Sequence, residues 1–390
     1  MITVSEALDQ LFALAPDMPV DHVPLLQAAG CVLGADVTAR RDQPPFAASA
    51  MDGYAIPDAD PQPGATFRVI GEAAAGHGFD RPIGPGEAVR IFTGAPVPDG
   101  GMRVIIQEDV TRDRDRITLK ADLDENRYIR PAGGDFKRGD VVTAGRVLGP
   151  NDIALLAAMN IAIVPVRRKP VVAIIATGDE LVMPGDDPGP DQIIASNSFG
   201  LHALLRAAGA APRMLPIARD DTDALRTVLD LAKGADLVLT IGGASVGDHD
   251  LVARVAGDLG MERAFYKVAM RPGKPLMAGR LHGSMMIGLP GNPVSTMVCG
   301  HVFVLPVIRA MLGLGRAPVP LHRASLAAPL PANGPREHYM RAHLGADGLT
   351  AFDRQDSALL SVLGAANALL VRPVDDPART AGETVAYLPL

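Results

Sequence analysis

The 390-residue chain has two cysteines, Cys31 and Cys299, and no tryptophan. Two thiols cannot build a disulfide framework or a cysteine-rich zinc site, so both read as small buried hydrophobes. Rings are scarce, with five Tyr and ten Phe, and the 37 Lys and Arg are outnumbered by 44 Asp and Glu, for a net charge of −7. A general nucleic-acid binder needs basic stripes and stacking rings, and this composition excludes one. Long apolar runs are also missing: stretches such as 153–166 are too short to span a bilayer. Residues 1–14 carry Glu6 and Asp9 and no base, unlike an export signal. The expectation is a soluble, cytoplasmic protein.

What is present is abundant turn chemistry on a core-forming background. Gly 41 and Pro 34 punctuate a chain that is 48% hydrophobic, and its length suits two to four domains. Four textures follow one another. Residues 1–45 and 136–168 are helix-rich and form one discontinuous linker domain. Within the first, Thr3 and Glu6 make a capping box ahead of Val4, Leu8, Leu11 and Phe12 on one helical face. Residues 46–135 are short strands inserted into that domain, with a hairpin expected between 103–111 and 116–120. Residues 169–317 alternate strands with helices, with helices expected at about 197–208, 221–233 and 250–258, a strand at 264–270 and a long helix from about Pro293 to Met311. This alternation predicts a mostly parallel, Rossmann-like α/β sheet covered on both faces. Residues 318–390 are short strands that suggest a small β-barrel. The fold class is therefore α/β plus β, in several domains.

In an open parallel sheet, ligands sit outside the carboxyl ends of the strands. Four loops rich in Gly and charge fall there: 177–181 (TGDEL), 242–250 (GGASVGDHD), 271–275 (RPGKP) and 290–293 (PGNP). Their glycines, Gly242 and Gly243 among them, would let backbone N–H groups approach an anion, and Ser245, Pro290 and Asn292 are candidate binding positions in the same loops. Neither a dinucleotide fingerprint nor a P-loop is present. Lys267, Arg271 and Lys274 suit phosphates, whereas Glu180, Asp220, Asp248 and Asp250 suit a hard cation. Acids beside a phosphate need a screening cation, so Mg²⁺ is the economical inference, with these four carboxylates as its candidate ligands. The competing reading for Asp220 and Asp250 is helix capping, since both stand at helix starts.

The inserted region has three dense segments of its own. Small residues surround Asp52 in 48–55, Thr93 stands beside a glycine turn in 92–96, and Arg130 and Asp135 bracket a third turn. Turn formation explains the glycines but leaves Asp52 without a partner in the sequence. Nine histidines are scattered with no metal-ligand spacing.

Six motifs in series, SAMDGYA at 49–55, TGAPVP at 93–98, TGDEL, GGASVGDHD, RPGKP and GLPGNPVS at 288–295, resemble the MoeA family. These are molybdenum-insertion enzymes of cofactor biosynthesis, related to the C-terminal domain of gephyrin. The resemblance implies an L-shaped, four-part subunit, a homodimer with a shared cleft, and contact with an adenylyltransferase or cofactor-receiving proteins. It implies a reaction joining molybdate to adenylylated molybdopterin with release of AMP. Carried over motif by motif, the functional positions are Asp52, Thr93, Arg130, Asp135, Glu180, Asp220, Asp250, Lys267, Arg271 and Ser357. The chain departs from the family pattern at Gly100-Gly101-Met102, at Asn160, at Asp356 beside Ser357, and at Arg271, where Lys is also common. Two other readings stay open: an enzyme that adenylylates molybdopterin, and a non-enzymatic gephyrin-like scaffold.

Overall fold

A computed structural model describes residues 1–243 and 251–390. Its central six-stranded sheet runs in the order Ala211–Met214, Val171–Ala176, Leu237–Ile241, Ser284–Leu289, Met277–Leu281, Glu262–Tyr266. The first four strands are parallel and the last two pairings are antiparallel. Two reversals return Glu262–Tyr266 to the direction of the parallel strands, so its following loop emerges at the same edge as theirs. Leu237–Ile241 is buried along its whole length, as a strand covered on both faces must be. Successive residues alternate between two cores. Ile174, Leu237, Leu239 and Ile287 face one, while Ala173, Ile175, Val238 and Met286 face the other.

The helices expected from periodicity are present at Asn197–Ala207, Thr222–Leu231 and Leu251–Asp258. The expected long helix after Pro293 is Pro293–Cys299, a π-helical turn at Gly300–Val304, and Leu305–Met311. This 19-residue run is the one described helix long and apolar enough to cross a membrane, and 78% of its apolar window is buried inside the protein. It is a core helix.

The first helix, Val4–Leu14, has the capping box read from the sequence: Glu6 N donates to Thr3 Oγ1 at 3.2 Å, and Thr3 N to Glu6 Oε2 at 2.7 Å. Its apolar face joins the core of the α/β sheet, and Arg280 Nη2 donates to Leu14 O at 3.0 Å. By contact this helix packs against the α/β sheet. Asn160 ends the next helix, Pro150–Ala158, at φ 64°. Asparagine tolerates that left-handed position better than most side chains.

Residues 46–135 build a second six-stranded sheet, ordered Arg103–Ile106, Gly53–Ile56, Glu87–Ile91, Thr66–Ala73, Arg116–Leu119, Val110–Asp113. The expected hairpin is only half right. Val110–Asp113 pairs with Arg116–Leu119, but Arg103–Ile106 is cut off by a 3₁₀ turn at Gln107–Asp109 and pairs with Gly53–Ile56.

The third sheet runs Met270–Arg271, Glu337–Gly345, Ala368–Arg372, Thr384–Pro389, His322–Ser325, with Gly348–Ala351 paired on Glu337–Gly345. The segment 264–270, expected as one strand, is divided. Glu262–Tyr266 stays in the α/β sheet, and Met270–Arg271 crosses to become the edge of the C-terminal sheet. The reason is the turn at Lys267, whose φ of 77° no extended strand can accommodate.

Candidate functional site

At the carboxyl edge of the α/β sheet lies a cleft of about 1040 Å³. Its floor is backbone, from Gly178, Gly242, Gly243 and Gly291. Glycine is required at Gly242 and Gly243, where φ is 89° and 65° and an added Cβ would meet Thr177 O at 2.8 Å and Val252 Cγ2 at 2.3 Å. Glu180 and Asp220 line the cleft with exposed side chains. Among the described residues, neither carboxylate accepts a hydrogen bond or joins an ion pair.

The capping alternative for Asp220 resolves in favour of its neighbour. Asp221 is the N-cap of Thr222–Leu231, and its Oδ1 accepts from Asp223 N at 3.0 Å and Ala224 N at 2.8 Å. Asp220 is thereby left facing the cleft. Ser245, Asp248 and Asp250 lie outside the described residues.

Pro290 and Asn292 line the cleft as expected. Asn292 Nδ2 donates to Ser357 Oγ at 2.9 Å, and Val294 N donates to Ser357 O at 3.0 Å. These bonds fasten the C-terminal region to the rim of the α/β sheet. Asp356 turns its carboxylate onto its own loop, where Oδ1 accepts from Ala358 N at 2.8 Å.

Lys267, Arg271 and Lys274 share the segment between Glu262–Tyr266 and Met277–Leu281, which reaches the cleft through Pro275; none of the three lines the cleft directly. Lys267 Nζ rests 4.9 Å from the Tyr266 ring centre. Arg271 is registered opposite His338 in the C-terminal sheet. Beside it lies a residue the sequence reading missed. Arg341 is fully buried, its Nη2 donates to Asp356 O at 3.0 Å, and its Nε and Nη1 have no partner among the described residues. Burial, with Arg271 adding repulsion, holds its pKa below the ordinary arginine value. Burial first, then Arg271, Arg341, Arg372 and Arg336, pushes His338 down to about 4. An unpaired buried guanidinium is costly unless something anionic completes it. Arg254 was missed too. It is the one Lys or Arg among the described residues lining the cleft, but in the sequence it reads as an ordinary helical position.

The inserted region gathers its three dense segments. Gly94 N donates to Ser49 O at 2.9 Å, Ala50 N to Tyr128 O at 2.8 Å, and Arg130 pairs across from Ala48. Asp52 is not solitary: its Oδ1 accepts from Thr93 Oγ1 at 2.7 Å and Thr93 N at 2.8 Å. Those bonds, the hydroxyl's first, hold the Asp52 carboxyl below the usual carboxylate range. Arg130 and Asp135 point exposed side chains outward, unpaired among the described residues. No hydrogen bond or ion pair joins this cluster to the α/β cleft among the described residues.

Three family profiles match in order: the MoeA N-terminal region (domain I and II) over residues 2–160, a probable molybdopterin binding domain over 173–310, and the MoeA C-terminal region (domain IV) over 323–390. A molybdopterin molybdenumtransferase from Nostoc sp. is 34% identical, covering 100% of this chain and 94% of its own. Molybdopterin molybdenumtransferase 2 from Mycobacterium tuberculosis is 37% identical over 90% of this chain and 91% of its own. The crystal structure of a molybdopterin biosynthesis MoeA protein from Pyrococcus horikoshii superposes with a TM-score of 0.85 at 28% identity, covering 100% of both chains. Matched by these profiles along most of its length, and by relatives above 30% identity end to end, the chain belongs to the MoeA family.

Proposed function

We propose that this chain inserts molybdate into adenylylated molybdopterin and releases AMP. The observation that carries the reading is the α/β cleft with its glycine floor, exposed carboxylates and Arg254, joined by the Asn292–Ser357 bond to a region holding a buried arginine only partly hydrogen-bonded among the described residues. Both substrates are anions. The backbone floor and Arg254 suit the phosphates, and Arg271 and Arg341 supply positive charge for an oxyanion at the neighbouring rim. Relatives matched along the whole chain are named molybdenumtransferases, which favours this reading over adenylylation of molybdopterin or a scaffold role.

Mg²⁺ fits the residues present. The described residues hold no cluster of three or more potential metal ligands. Mg²⁺ keeps several waters and needs only one or two carboxylates plus substrate phosphates, and Glu180 and Asp220 are free to serve. Asp250, another acid that the sequence offers to the cation, lies outside the described residues. When bound, the ion would neutralise the phosphoanhydride. The chain's own residues orient and pair charge, and no protein nucleophile is required.

The finer architecture belongs to the same reading: linker residues 1–45 and 136–168, inserted β-domain 46–135, molybdopterin-binding domain 169–317, and C-terminal barrel 318–390, in an L-shaped subunit. The protein works in the cytoplasm as a homodimer in which Asp52, Thr93, Arg130 and Asp135 of one subunit close the cleft of the other. An adenylyltransferase would hand it substrate, and a cofactor-receiving protein would take the product. The test is incubation with adenylylated molybdopterin, Mg²⁺ and molybdate, following AMP. Release that depends on molybdate supports the reading, and its absence refutes it.

A further inference from the structure

Arg90, in Glu87–Ile91, is a cation of the inserted sheet with no role assigned so far. It stands opposite Tyr54 in the pairing of Glu87–Ile91 with Gly53–Ile56. Its Nη1 donates to Gly53 O at 3.2 Å and its Nη2 to Gln107 Oε1 at 2.7 Å. The guanidinium carbon lies 5.0 Å from the Tyr54 ring centre and 4.8 Å from that of Phe92, within range of cation–π attraction to both. No carboxylate pairs with it among the described residues. Gly53 follows Asp52 and Phe92 precedes Thr93, so Arg90 grips the residue next to each member of the Asp52–Thr93 pair. Gln107 closes the circuit, because its N donates to Asp52 O at 3.1 Å.

We infer that Arg90 is a positioning residue: its fork and its ring contacts hold the two turns at the spacing where the Asp52 carboxylate meets Thr93. The inference rests on the proposed function only in giving Asp52 a catalytic task. Other groups near that carboxylate do not replace the clamp. Thr93 supplies the bonds but not the spacing, and no side chain at position 53 could take over the clamp, since a Cβ there would sit 2.0 Å from Ile105 O. The neutral fork partner, Gln107, reaches Arg90 and also donates through Nε2 to Glu108 Oε1 at 3.2 Å.

The experiment compares the full-length wild type with Arg90→Met, Asp52→Asn and the double variant, each normalised to folded protein by circular dichroism. Misplacing a catalytic group by about 1 Å can cost on the order of a hundredfold, so Arg90→Met should lower AMP release by roughly ten- to a hundredfold. If Arg90 acts through Asp52, the double variant should match Asp52→Asn alone. Losses that multiply in the double variant overturn the inference. A second readout needs no activity. In the wild type the Thr93 amide resonance should follow the Asp52 titration through their hydrogen bond, and in Arg90→Met it should lose that dependence. An unchanged Thr93 response overturns the inference even if the wild type proves inactive, whereas an inactive wild type with a changed response refutes only the proposed function. Arg90→Lys, which keeps the charge but not the fork, serves if Arg90→Met fails to fold, and should show the same pattern in weaker form.

Discussion

Asn292 and Ser357 meet at 2.9 Å across the boundary between the α/β sheet and the C-terminal sheet, although 65 residues separate them in the chain. The amide donates and the hydroxyl oxygen accepts. Val294 N bonds the same serine's carbonyl at 3.0 Å, so backbone and side chain grip the loop together.

Because the backbone bond survives, Ser357→Ala should cost no more than about 1 kcal/mol of stability. Asn292→Asp tests the electrostatics. The serine hydroxyl can donate to the new carboxylate, so the thermal midpoint should hardly move, while a negative charge at the rim should raise KM for the anionic substrates roughly tenfold. A large fall in the midpoint with KM unchanged would show that Asn292 serves packing alone.

Metal dependence follows from the Glu180 and Asp220 carboxylates, which line the cleft and are unpaired among the described residues. AMP release should vanish in chelator and return on adding Mg²⁺. Undiminished turnover in chelator would sink the cation argument. Asp220→Asn should raise the Mg²⁺ concentration needed for half-maximal rate. It should not weaken the helix behind it, whose cap is Asp221.

The shared cleft can be tested by mixing. Asp52 and Asp220 lie in clusters that no described hydrogen bond or ion pair joins within one chain. Mixing inactive Asp52→Ala with inactive Asp220→Ala, under conditions that exchange subunits, should give half mixed dimers. Each mixed dimer would hold one intact site, restoring roughly a quarter of wild-type activity. If independently verified exchange restores none, the site lies within one chain.

The acid side of the stability curve should carry the mark of His338, which is 7% exposed. Its folded pKa is depressed to about 4 from an ordinary value of 6.5. Between those values the unfolded chain binds the proton and the folded one resists it, so stability falls as pH drops from 6.5 to 4 and rises as pH is restored. The loss should be on the order of 1–3 kcal/mol. His338→Gln should flatten that part of the curve in urea titrations at each pH. Parallel curves for the two proteins would refute the assignment.

What the sequence determined by itself was local or periodic. The Thr3–Glu6 box depends on two residues three apart, and the helices at Asn197–Ala207 and Thr222–Leu231 depend on apolar spacing within one segment. The loops at 177–181 and 290–293 could be placed at one sheet edge because parallel strands deliver all their carboxyl ends to the same side. Which side chains meet was another matter. Asp52 and Thr93 are 41 residues apart, and only the register of the inserted sheet brings them within 2.7 Å. Asp220 and Asp221 are chemically identical in the sequence, and backbone geometry at the helix start decided which one caps. Arg341 was illegible because its burial arises only when the C-terminal sheet docks, with Met270–Arg271 as its edge strand. Caps and periodicities are short-range and survive in one dimension, whereas pairing across sheets is fixed by long-range register, which no single segment encodes.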